Sequence, residues 1–202
     1  MSTETSQTFL SVDVGIRNLG IAVLAVGERV DVIHLTCANL LTDAEKANRM
    51  TAQEVTERAE LFLSEMLQHV PPIDVVLIEN QPYRAGVGGG INMKLLAHGL
   101  VQFFRHLRQW VPRYEDAFRS VQLVHARSKL NIEYQQLGIP PLGEDLPSST
   151  YHERKQPSVR LSAHILQHLA TPEIQGVLHS AKKKDDLADA LLQALFYICN
   201  NP

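Results

Sequence analysis

Four acidic residues, Asp13, Glu79, Asp186 and Asp189, stand where this chain could do chemistry. Asp13 breaks into an apolar run that starts at Phe9, and Glu79 ends the β-branched run Ile73–Ile78. Asp186 and Asp189 are three residues apart, which makes them neighbours on one surface of a helix. A carboxylate in a core must be paired, protonated or bound to a metal. Acids delivered from several segments suit a divalent-metal phosphodiester site, because Mg²⁺ prefers oxygen ligands and two such ions can flank a phosphate. Each acid also has a plainer reading. Asp13 can cap the turn Gly15-Ile16-Arg17-Asn18 by accepting backbone N–H bonds. Asp186 and Asp189 lie near a helix start, where the dipole favours negative charge. Their mutual repulsion, about 0.2–0.5 kcal/mol on a solvated helix, is what a cation would offset. Asp185 competes with Asp186 for the same role.

The elements that must position these acids follow from periodicity. Thr8–Val26 reads as a hairpin, and Arg29–Leu35 alternates as a third, half-exposed strand. Thr42 with Glu45 has the form of a capping box. The helix expected after it carries Met50, Val55, Ala59, Phe62, Leu63, Met66 and Leu67 on one side and stops at Pro71-Pro72. Strand, helix, strand in that order implies a right-handed crossover and parallel pairing. Glu79 then lies at the carboxyl end of its strand, where open α/β sheets place their sites. The glycine-rich stretch Gly86–Gly90 lacks the spacing of a phosphate or dinucleotide loop and reads as a linker. Asn92 is expected to cap a helix reaching Trp110, apolar around enough of its surface to be buried or to form a subunit contact. Ser120–His125 reads as a fifth strand. Residues 131–157, with four prolines, read as a long loop or arm, followed by a short helix over Val159–Leu169. The last helix, within Lys182–Ile198, buries Leu187, Leu191, Ala194, Leu195 and Ile198, with Gln193 continuing the line of Asp186 and Asp189. One domain over residues 1–202 is expected.

The formal net charge of -3 neither supports nor excludes a nucleic-acid partner, because four of the acids belong to one candidate site. Lys and Arg gather at Arg105–Arg119, at Arg154-Lys155 and at Lys182-Lys183-Lys184, each of which can equally be a solvated face. No apolar run is long enough to span a bilayer. The polar start MSTETSQ lacks the signs of a secretory or mitochondrial leader, so an intracellular protein is expected. Cys37 and Cys199 sit in apolar surroundings and read as reduced, buried thiols. His98, His106 and His125 are spread over different elements, which favours structural or surface roles.

With these elements in place, the order of strands and helices resembles the ribonuclease H fold. The segments Asp13-Val14-Gly15, Ile78-Glu79-Asn80-Gln81 and Lys183-Lys184-Asp185-Asp186-Leu187-Ala188-Asp189 resemble those of Holliday junction resolvases of the RuvC superfamily, in the branch of poxviral and fungal mitochondrial resolvases. The resemblance implies an α/β, ribonuclease H-like domain: a five-stranded mixed sheet, antiparallel meander plus parallel strands, flanked by helices. It implies a Mg²⁺-dependent crossover junction endodeoxyribonuclease, a homodimer that binds a four-way DNA junction and makes paired symmetric nicks. Asp13, Glu79, Asp186 and Asp189 would hold two Mg²⁺ ions, with Mn²⁺ expected to substitute and no organic cofactor. Asp186 is preferred to Asp185 because its spacing to Asp189 matches the family's pair. Lys182, Lys183 and Lys184 would contact phosphates, and Tyr83 and Arg84 would reach the junction centre, although a packed Tyr and a surface Arg are the plainer readings. The lack of a basic start departs from the mitochondrial members and fits a viral or bacterial setting. The rival functions are another nuclease on the same fold, cutting RNA–DNA hybrids or DNA ends, a phosphate-handling ATPase sharing the Asp13-x-Gly15 hairpin, which would want a second glycine-rich phosphate loop and a larger chain, and a non-catalytic junction-binding or scaffold protein.

Overall fold

β1 (Gln7–Asp13), β2 (Asn18–Val26) and β3 (Val30–Asn39) form the expected antiparallel meander. They belong to a computed structural model that describes residues 6–80, 90–125, 129–142 and 151–201. β4 (Val75–Glu79) and β5 (Ser120–Val124) complete one five-stranded sheet in the order β3-β2-β1-β4-β5. β4 runs parallel to β1, and β5 parallel to β4. This is the mixed sheet that the sequence implies.

Alternation along β1 and β4 assigns each residue to a face. Leu10, Val12, Val76 and Ile78 enter one core, while Phe9, Val75 and Leu77 enter the other. The first core lies under α1 (Ala52–Met66) and α2 (Gly90–Trp110). The second is covered by α3 (Tyr151–Leu169), α4 (Pro172–Ser180) and α5 (Lys184–Asn200). By parity Asp13 and Glu79 fall on the α5 side. Val12 pairs with Ile78 across β1 and β4, so the two acids are next-door neighbours at one end of the sheet.

Several boundaries differ from expectation. Thr42 makes only half of the box: its N–H and hydroxyl donate to the Glu45 carboxylate, but the Glu45 N–H donates to the Thr42 carbonyl and closes an isolated turn. The carboxylate of Glu45 is taken by a salt bridge to Arg58 at 2.7 Å. The helix starts nine residues later, where Thr51 and Glu54 form a second, reciprocal box. Met50 therefore precedes α1 in extended backbone. Asn92 is inside α2 and is no cap; its amide donates to the Met50 carbonyl. Of the loop expected over 131–157, residues 143–150 lie outside the described residues. A 3-10 turn at Tyr134–Leu137 and buried Ile132 and Ile139 pack into the second core, and α3 begins before Pro157 and runs through it. Periodicity had also left α4 without an element.

α5 can approach the sheet closely because of Gly20. A Cβ built there would lie 2.2 Å from the Asp186 carbonyl oxygen, so a larger residue must push the start of α5 off β2. Gly20→Ala is expected to destabilise the fold by about 1–3 kcal/mol through overpacking. A thermal melt that matches wild type would show that α5 does not depend on this approach.

Candidate active site

Asp13 ends β1 and Glu79 ends β4, on adjacent parallel strands, and both are buried. α5 crosses above them. Its Gln193 amide donates to the Ser11 hydroxyl at 3.0 Å and to the Val12 and Leu77 carbonyls at 3.2 and 3.4 Å. That fork fixes α5 over the β1–β4 seam, and Asp189 lies one turn before it. Ala188, Ala190 and Ala194 are fully buried and let the helix sit low on the strands.

The acids converge on a cation supplied by the chain. The Lys129 ammonium lies 2.9 Å from Asp13 Oδ1, 3.4 Å from Glu79 Oε1 and 3.6 Å from Asp189 Oδ2. Lys129 is only 7% exposed. It follows β5, whose carboxyl end lies beside that of β4. The turn Tyr134–Leu137 and Ile132 anchor the segment that carries it. The rule that pointed to Glu79, that sites gather at carboxyl ends of parallel strands, also applies to the residues leaving β5, and Lys129 could have been suspected on that ground.

Burial dominates the electrostatics. It pushes the Asp13 carboxyl up to about 7, with Lys129 pulling down and Glu79 adding to the rise. Asp189 is likewise raised, first by burial. Burial opposes the charge on Lys129, but Asp13, Asp189 and Glu79 together outweigh it and hold the ammonium above its ordinary range. Asp186 belongs to the same neighbourhood. Cys37 lies opposite Gly20, which lies opposite Asp13. Its thiol is pushed up to about 11, first by burial and then by Asp186, Asp13 and Asp185 in that order. At the Cys37 thiol Asp186 thus acts more strongly than Asp185, whereas at Asp189 it is Asp185 that adds to the rise.

Among the described residues no three acidic, imidazole or thiol groups converge closely enough to cage a metal in this arrangement; an ammonium stands among the carboxylates instead. The donor chemistry nevertheless fits a hard divalent cation. All four candidate ligands are oxygen donors, and three of them already share one positive charge. Lys182, Lys183 and Lys184 are exposed at the start of α5, close in sequence to the acid pair. Tyr83, Arg84 and residues 86–89 of the glycine stretch lie outside the described residues.

Comparison with known proteins places this geometry in context. Residues 132–201 match the family model described as Poxvirus A22 protein. No curated protein sequence matches the chain. The yeast mitochondrial Holliday junction resolvase Ydc2 is similar in structure, with a TM-score of 0.62 and 17% identity over 94% of this chain and 78% of that one. Thermus thermophilus RuvC, solved in complex with a Holliday junction substrate, superposes with a TM-score of 0.55 and 18% identity, covering 96% of this chain and 97% of its own. The fowlpox virus Holliday junction resolvase gives 0.51 and 15% identity, over 95% of this chain and 97% of that one. The chain has the ribonuclease H-like fold, and its residues 132–201 match the Poxvirus A22 protein family model.

Proposed function

We propose that this protein is a structure-selective endodeoxyribonuclease that cuts four-way DNA junctions by paired symmetric nicks. The observation that carries the reading is the convergence of Asp13, Glu79 and Asp189 on Lys129 at the carboxyl ends of β1 and β4. Nucleic acid has no use for a bare cluster of acids, so the cluster points to cation-assisted chemistry on a phosphodiester. Asp13, Glu79, Asp186 and Asp189 are the residues that would hold Mg²⁺, or Mn²⁺ in its place. Bound there, the metal would supply Lewis-acid stabilisation of the scissile phosphate and a more acidic water.

The chain's own groups do the rest. Gln193 holds α5 in register, so that Asp189 faces Asp13 across the seam. Lys129 keeps the carboxylates gathered before substrate arrives, and its ammonium is the group placed to meet a non-bridging phosphate oxygen as the backbone docks. Lys182, Lys183 and Lys184 steer the backbone toward the site, a contribution that weakens with salt. Tyr83 and Arg84, which follow Glu79 in sequence, are proposed to meet the junction centre.

Two nicks across one junction call for two copies of the site. The exposed Ile91 and Leu95 of α2 form an apolar start to a surface for a second copy. Light scattering at micromolar concentration should return twice the 22.6 kDa chain mass.

The function is tested by incubating a labelled four-way junction with Mg²⁺ or with EDTA, beside a linear duplex and an RNA–DNA hybrid. Paired nicks in the junction alone, and only with Mg²⁺, are expected. Cutting of the hybrid or the duplex instead would keep the site and discard the substrate. Tight junction binding with no cutting would leave a binding protein.

A further inference from the structure

The proposed function leaves one basic cluster unused. At the end of the sheet opposite the acids, a notch of about 510 Å³ is lined by Arg105, Arg108, Arg119 and Glu115, with Phe118 and Ser120 among its other walls. Three guanidinium groups face one carboxylate there. Their partners within the fold are few. Arg108 donates to the Arg119 carbonyl at 3.3 Å. Arg119 donates to the Asp116 carbonyl and lies 3.7 Å from Asp74 Oδ1, with its side chain 69% exposed. Arg105 makes no hydrogen bond or ion pair among the described residues. Nearby Arg113, by contrast, is already stacked on the Tyr114 ring and is not part of the notch.

A planar guanidinium fork with open donors is the side chain best matched to phosphate. Two of these arginines lie near the end of α2, where the helix dipole welcomes positive charge. That explains why charge is tolerated there, but it does not explain a concave wall completed by Arg119 from a different segment. The spacing to the acids is informative. Ser120 pairs with Val75 at the start of β4, and Val124 with Glu79 at its end. Four residues of strand separate the two ends by about 13 Å, or about four base pairs of axial rise.

We propose that Arg105, Arg108 and Arg119 form a second phosphate-binding site, distinct from the nuclease centre. It grips the backbone of a DNA arm that leaves the cut along the β5 edge. This rests on the nucleic-acid reading of the acid site, and it names the part of the substrate that lies beyond the scissile phosphate. The same chemistry could bind a free polyphosphate, and the test separates the two sources.

The test uses the full chain in Ca²⁺ or EDTA, so that binding is read without turnover. Junctions carry a single neutral methylphosphonate linkage, moved stepwise along one arm. Wild type should lose about five-fold in affinity when the linkage lies near four base pairs from the cut, the scale of one lost phosphate contact. Arg105→Ala should show that loss already on the unmodified junction and lose nothing further at that linkage. It should also lower the slope of log affinity against log salt by about 0.9. Arg105 is the choice because it makes no hydrogen bond or ion pair among the described residues, so a melt of the variant should match wild type.

Equal affinity and equal salt slope for wild type and Arg105→Ala would overturn the proposal. So would loss of tripolyphosphate binding in Arg105→Ala without any coupling to a linkage on the arm, which would make the notch a small-anion site. If wild type cuts no junction but the coupling persists, the nuclease reading fails and the notch stands.

Discussion

Metal-free Lys129→Met protein is expected to melt well below wild type at pH 8 and to recover much of the difference in millimolar Mg²⁺. Lys129 is the only cation that Asp13, Glu79 and Asp189 share among the described residues. Removing one side of a buried ion cluster costs about 3–5 kcal/mol, because the remaining charges stay desolvated and unpaired. In a chain of this size each kcal/mol moves the midpoint by about 2–4 °C, so the deficit should be plain in a melt. Its pH dependence follows from Asp13, whose carboxyl is pushed up to about 7 by burial. A carboxyl raised on folding contributes stability that is present below the ordinary carboxylate range. That stability is lost as pH rises through about 7. Wild type should therefore lose stability over that window without metal, and the loss should vanish in Asp13→Asn. In Lys129→Met, Asp13 lacks its counter-charge, so the gap from wild type should narrow at pH 5, where the carboxyl can take a proton. Divalent metal restores positive charge among the acids and should raise the midpoint of Lys129→Met more than that of wild type. Equal midpoints at pH 8, with equal responses to Mg²⁺, would mean that the ammonium does not hold the acids together.

The second large effect is on cutting. Asp189→Asn should reduce junction cleavage by at least ~100-fold, the scale of losing several kcal/mol of cation-assisted stabilisation. Binding of the uncut junction should stay within about two-fold, since in the proposed function that term is assigned to the exposed lysines. Asn keeps the side-chain volume, and burial already favours the uncharged form of Asp189, so the fold should not suffer. The comparison with Asp185→Asn is the sharper half of the experiment. Asp185 lies in the first turn of α5 with Asp186, while Asp189 lies 3.6 Å from the Lys129 ammonium. If Asp189→Asn cuts at the wild-type rate, the residue is no part of the centre. If Asp185→Asn is the variant that fails, the acid pair has been read one position out of place.

What could be read from the chain divides along physical lines. Asp13 and Glu79 were legible because each ends an apolar run, and strand alternation then fixes the face on which both must lie. Asp189 and Gln193 were legible because a helix repeats its surface every turn. The start of α1 was ambiguous, because Thr42-x-x-Glu45 and Thr51-x-x-Glu54 carry the same local signal. Only the pull of Arg58 on Glu45 distinguishes a closed turn from a helix start, and that contact depends on the folded structure. Lys129 was hidden for a related reason. It reaches Asp13 across 116 positions of chain, from a segment with no period to read. Gly20 looked like an ordinary residue of a hairpin, since the helix it admits comes from the far end of the sequence.

That last feature bears on when the proposed activity can first appear during folding. The acids of β1 and β4 can be neighbours as soon as those strands pair, but Asp189 joins them only when α5 has docked on Gly20 and Gln193 has found its strand carbonyls. A partly folded molecule is therefore a sheet with two acids and no completed centre. In a refolding time course, cutting should lag behind strand formation and rise together with burial of Tyr197 on α5. Nuclease activity that appears with the sheet alone would show that assembly does not wait for the helix.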